Sequence, residues 1–151
     1  MKFEFNDGGR ADAGFKGKNV GDCVCRSIAI ATRKSYSEVY EVLANGNATQ
    51  RRSKREGKTK AGKKTAQLGI NTKRKWFADY MESIGMEWVP TMKIGQGCKT
   101  HLREGELPMG RLIVNVSRHF TAVIDGVIHD IYDPSREGNR CVYGYYKQKD
   151  I

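Results

Sequence analysis

Asp22-Cys23 heads an apolar, helix-forming run, and far along the chain His119 opens the strand-like segment His119-Phe120-Thr121-Ala122-Val123. A thiol becomes a nucleophile when a base removes its proton, and a cysteine at a helix start with a histidine on a distant strand supplies both groups. Cys23 in a first helical turn would lie among unpaired backbone amides at the positive end of the helix dipole, which favours thiolate. Taken singly, cysteine is most often a buried, inert side chain and a strand histidine a surface one. Their pairing is what points to covalent chemistry.

The turn after His119 selects a third group. Asp125-Gly126 between two apolar runs is a strong signal for a two-residue hairpin turn. If it is the whole turn, Ile124 opposes Val127, Thr121 opposes Asp130 and His119 opposes Tyr132. His119 and Asp130 then share a face as diagonal neighbours, where the carboxylate can orient the imidazole and stabilise its charged form. Asp133 and His129 fall on the other face; a bulge would reverse the choice, leaving Asp133 second and His129 third.

Gly21-Asp22-Cys23, the following Arg26-Ser27-Ile28-Ala29 and His119-Phe120-Thr121-Ala122-Val123 with a later Asp resemble the papain-like cysteine peptidase superfamily, including small members from bacteria and their phages. The resemblance implies Cys23 as nucleophile, His119 as general base and acid, and Asp130 as orienting residue. It also implies a nucleophile heading a central helix beside an antiparallel sheet. Many such enzymes carry a Gln shortly before the Cys that helps bind the oxyanion, and no Gln precedes Gln50 here. Asn19 is the nearest substitute, and the backbone amide of Cys23 is the more general donor. The Asp22-Cys23 start is also similar to the NlpC/P60 amidases, in which His129 or Asp130 would serve as the third polar group. The implied reaction is acyl transfer at an amide, isopeptide or thioester of a peptide or protein, with no cofactor.

These groups need elements to hold them. Val24, Ile28 and Ala31 recur at helical spacing behind Asp22, which can cap the helix, and Ile30 and Ala29 widen the apolar face enough for a buried element. Ser35 and Glu38 have capping-box spacing, and Tyr36, Val39, Tyr40 and Leu43 form a stripe that predicts a second helix stopping near Asn45-Gly46. A third helix is predicted from near Thr72 to Gly85, burying Trp76, Phe77, Tyr80, Met81 and Ile84. Strands are expected at Lys2 to Phe5, at Met86 to Met92 with Pro90 marking an edge, at Arg111 to Val116, at His119 to Ile124, at Val127 to Tyr132 and at Cys141 to Tyr146. Helices lead and strands follow, so the fold class is α+β, with N-terminal helices packed on a C-terminal antiparallel sheet.

The 151 residues suit one domain, with a basic loop or weakly structured insertion at about 47–70. No apolar run is long enough to cross a bilayer, and Met1 to Asn6 turns polar before a signal-peptide core forms, so a soluble, cytoplasmic protein without a membrane partner is expected. The net charge of +10 is concentrated between Arg51 and Lys75, where eleven Lys or Arg face Glu56 alone; the rest of the chain carries sixteen of each sign. Arg51, Arg52, Lys54, Arg55, Lys58, Lys60, Lys63 and Lys64 form a basic patch suited to nucleic acid or an acidic protein. A non-catalytic papain-like scaffold or basic binding module is therefore the alternative to an enzyme. Without a secretion signal, Cys23, Cys25, Cys98 and Cys141 are expected as reduced thiols. A zinc set of Cys23, Cys25, Cys98 and His101 is the metal alternative, weakened by the single-residue gap between its first two ligands.

Overall fold

A computed structural model describes residues 1–15, 21–50, 66 and 70–149. Strand β1 (Lys2–Phe5) is followed by helices α1 (Cys23–Thr32), α2 (Tyr36–Ala48) and α3 (Lys75–Ser83), then by strands β2 (Met86–Pro90), β3 (Arg111–Val116), β4 (His119–Ile124), β5 (Val127–Asp130) and β6 (Val142–Gln148). The strands form one six-stranded sheet in the order β1-β5-β4-β3-β6-β2. The α+β class stands, but the sheet is mixed rather than antiparallel. Lys2–Phe5 pairs parallel with Val127–Asp130, while every other pairing is antiparallel. Pro90 does lie in an edge strand, where its missing N–H costs no ladder bond.

Helix α1 is buried from Val24 to Ala31 on all sides, as a helix enclosed by other elements must be. With α2 and α3 it forms a core in which Ile28, Leu43, Phe77 and Met81 meet Ile113 and Phe120 of the sheet. A second cluster, including Leu102, Val114, Val123 and Ile128, fills another layer. The C-terminal carbonyls of α1 lack partners within the helix, and Arg111 of β3 donates to two of them, Ala31 O and Ile30 O, at 2.7 Å each.

Helix α2 starts where expected, with Ser35 Oγ accepting from the Glu38 amide at 3.2 Å. It does not stop at Gly46 but runs to Ala48. Gly46 is there for space, because a Cβ would come within 2.3 Å of the Trp76 ring. Helix α3 is shorter than its pattern, starting after Arg74, which offers no side-chain cap; Phe77 and Met81 are its buried residues.

The expectation of four reduced thiols fails for two of them. Thr100 O accepts from the Val142 amide and Leu102 N donates to Arg140 O, both at 2.8 Å, which lays the Cys98 segment beside the start of β6. Cys98 and Cys141 are thereby held 5.9 Å apart at Cα and joined in a disulfide.

Gly→Ala inside a helix ordinarily stabilises by up to about 1 kcal/mol. Gly46→Ala is expected to do the reverse, lowering stability by ~1–3 kcal/mol in urea denaturation because the new methyl displaces Trp76. A second change, Trp76→Leu, should make the alanine less costly; equal costs in both backgrounds would show that the ring is not the obstacle.

Candidate active site

Cys23 opens α1 and is half-buried. His119 follows the tight Ser117-Arg118 turn joining β3 to β4, in which Arg118 takes a left-handed conformation (φ 56°). Both side chains line one cleft of about 380 Å³. The hairpin beyond His119 has the two-residue turn, with positive φ at Asp125 and Gly126 and Ile124 opposite Val127. In that register Asp130 comes beside His119, its Oδ2 lying 2.7 Å from Nε2. Nε2 is thus engaged with Asp130. Tyr132 Oη lies 3.4 Å from Nδ1 and its ring covers the imidazole at 5.2 Å.

The electrostatics follow from these contacts. Burial pulls the charged imidazole down, but hydrogen bonds to Asp130 and Cys23, with the charge interactions of both, outweigh it and raise the His119 pKa from 6.5 to about 9. For Asp130, burial raises the pKa, yet the hydrogen bond and charge of His119 prevail and hold it below its ordinary value. Cys25 has the opposite environment. It is fully buried in the core, its Sγ 3.7 Å from Tyr36 O, and burial followed by the charge of Asp22 pushes its thiol up to about 12.

Asp22 occupies the N-cap position but its side chain caps nothing. It is completely buried and turned instead to Arg26, with which it forms a close ion pair, and to Tyr36, whose hydroxyl donates to Oδ2 at 2.8 Å. Arg26, also buried, reaches with its other terminal nitrogen to Asp130 Oδ1 at 3.5 Å. Asp130 Oδ1 further accepts from the Ile131 amide at 2.7 Å. One guanidinium therefore lies between the helix that carries Cys23 and the carboxylate that holds His119. Arg140 supports the other side, donating to Ser117 O in the turn before His119 and to Pro134 O.

The other candidates lie elsewhere. His129 faces Glu4, 3.6 Å away, and Asn6. Asp133 folds onto its own loop, accepting from the Ser135 amide at 2.9 Å. Asn19 and the basic residues Arg51, Arg52, Lys54, Arg55, Lys58, Lys60, Lys63 and Lys64 lie outside the described residues. The zinc set does not assemble, because Cys25 is in the core and Cys98 is bonded to Cys141. Among the described residues no three His, Cys, Asp or Glu side chains are grouped to share a metal ion, and no helix is long and apolar enough to cross a membrane.

Sequence reasoning missed Arg26, Tyr36 and Arg140. A signal existed for the first: Asp22 and Arg26, four residues apart, flank the start of a run too apolar to leave an arginine in water. Comparison with family models, with characterised proteins and with solved structures finds no match.

His119 should titrate near pH 9 by imidazole NMR. Asp130→Asn should lower that value, because burial persists while one charged partner is lost. The sign for stability follows: the raised His119 pKa contributes in full below 6.5, and the contribution disappears as pH rises through about 9. The lowered Asp130 pKa contributes above its ordinary 3.8 and is lost as pH falls through its folded value. Arg26→Met removes one partner of a buried charge network and is expected to cost ~3–5 kcal/mol in urea denaturation. Adding Asp22→Asn should recover part of that loss; a fully additive double variant would rule out the coupling.

Proposed function

We propose that this chain is a cysteine-nucleophile hydrolase or acyl transferase of papain-like layout, acting on an amide, isopeptide or thioester carbonyl through Cys23, His119 and Asp130. The observation that carries the proposal is a single imidazole held on Nε2 by a buried carboxylate and sharing one cleft with the thiol of a helix-heading cysteine. A buried histidine needs one such partner for stability. A carboxylate behind the ring and a thiol in the same cleft match what acyl transfer requires.

The reaction follows from the positions. His119, protonated at neutral pH with its pKa of about 9, pairs with Cys23 as thiolate, whose Sγ attacks the carbonyl carbon while Asp130 stays ionised and steadies the imidazolium. The amide of Cys23, at a helical position with no acceptor within the helix, is the donor for the oxyanion. His119 then returns the proton to the leaving amine or thiol as the tetrahedral intermediate collapses to a thioester. Water, activated by the same imidazole, releases the acyl group; an amine acceptor would give transamidation instead. Cys25 takes no part, since a thiol raised to about 12 carries almost no thiolate at neutral pH.

Iodoacetamide should label Cys23 near neutral pH roughly tenfold or more faster than an unperturbed thiol, and His119→Ala should bring the rate back to ordinary. Acyl transfer itself should decline above about pH 9, where His119 loses the proton it must donate. An ordinary labelling rate in the wild-type chain would instead favour a non-catalytic scaffold of the same layout.

A further inference from the structure

The cleft holding Cys23 and His119 continues beyond them. Thr72, Lys73, Asn115 and Phe120 line both this cleft and a second compartment of about 360 Å³, whose remaining walls are Ala78, Trp88 and Tyr146. Four shared residues make the two volumes one groove, which crosses the sheet from β4 and β3 toward β6 and β2.

The two ends of the groove differ in chemistry. Around Cys23 the walls mix Asn115, Arg118 and His119 with apolar side chains, whereas the far compartment presents the rings of Phe120, Tyr146 and Trp88. Trp88 packs on Tyr146 with centroids 5.0 Å apart and lies against Gly144, where an added Cβ would come within 2.3 Å of the indole. Yet its side chain remains 41% exposed. An indole fixed from behind and open in front keeps apolar surface in water until a ligand covers it, at little entropic cost. Among the described residues no Asp or Glu lines either compartment, and Lys73 at their junction has no ion-pair partner.

We infer that the Trp88 compartment is a side-chain subsite that takes an aromatic or large apolar residue of a peptide whose reacting carbonyl lies at Cys23. This rests on the acyl-transfer reading of Cys23, and it makes the substrate an extended peptide rather than a small amide. Lysine or arginine in the same place meets Lys73 with no carboxylate to receive it, so cationic side chains are rejected.

The test separates the subsite from the chemistry. The full chain carrying Cys23→Ser is titrated with acetyl-tripeptide amides that bear Phe, Ala or Lys at each position in turn among glycines. Binding is followed by the Trp88 indole N–H resonance, assigned with Trp88→Phe. At one position Phe should bind roughly tenfold or more tightly than Ala, the gain expected for burying its ring, with Lys no better than Ala. Ala78→Trp, which fills the compartment from α3 and leaves Trp88 in place, should abolish the preference. Equal affinity for Phe and Ala, or a Phe preference unchanged by Ala78→Trp, overturns the subsite. Iodoacetamide labelling of wild-type Cys23 reads the thiol alone: an ordinary rate with Phe selectivity intact sinks the acyl-transfer reading and leaves the subsite standing.

Discussion

A guanidinium buried between two carboxylates governs this structure. Arg26 cannot reach water from inside α1, so its charge must be met within the protein, and Asp22 and Asp130 meet it. Asp22 belongs to the helix start and Asp130 to β5, which ties the angle of α1 to the sheet at the end where Cys23 lies. Arg111 does the same at the other end of the helix by engaging its last carbonyls. A helix docked only by apolar packing could slide by small amounts at little cost. One pinned by directional charged contacts at both termini has a defined position, which the proposed acyl transfer would require to within a fraction of an ångström.

Two thiols in one helical turn show how strongly position controls chemistry. Cys23 and Cys25 differ by two residues, which on a helix turns their side chains well away from each other. One opens into the cleft beside an imidazole; the other is sealed in the core. Aromatic packing by Phe15, Tyr36 and Tyr40 in the same core sets that seal. Tyr36 thus contributes twice, enclosing Cys25 and donating its hydroxyl to Asp22.

Much of the fold was legible because its signals are local. The Asp125-Gly126 turn fixes the β4–β5 register from two residues, and that register alone separates Asp130 from Asp133 and His129. Ser35 marks the start of α2 by its own side chain. Features that depend on distant partners were not legible. A four-residue strand carries no mark of which neighbour it will join, so the parallel pairing of Lys2–Phe5 was missed. Gly46 reads locally as a helix end and is instead a space left for Trp76. Asp22 reads as a cap and is instead a counter-ion, since its competitor for the carboxylate is a side chain rather than an amide. The Cys98–Cys141 bond likewise depends on a loop returning to β6, which no spacing rule anticipates.

That disulfide divides the candidate site by covalent connectivity. It closes a loop of sequence separation 43, and His119 and Asp130 both lie inside the loop while Cys23 lies outside. In the unfolded chain the crosslink removes freedom worth about 4 kcal/mol on the loop-entropy model, all of it from the segment that carries His119 and Asp130. The hairpin with its imidazole and carboxylate therefore belongs to a tethered ring. Cys23 arrives on a separate arm, held to that ring by Arg26, Arg111 and the core. The thiol is the part of the site whose registration is wholly non-covalent.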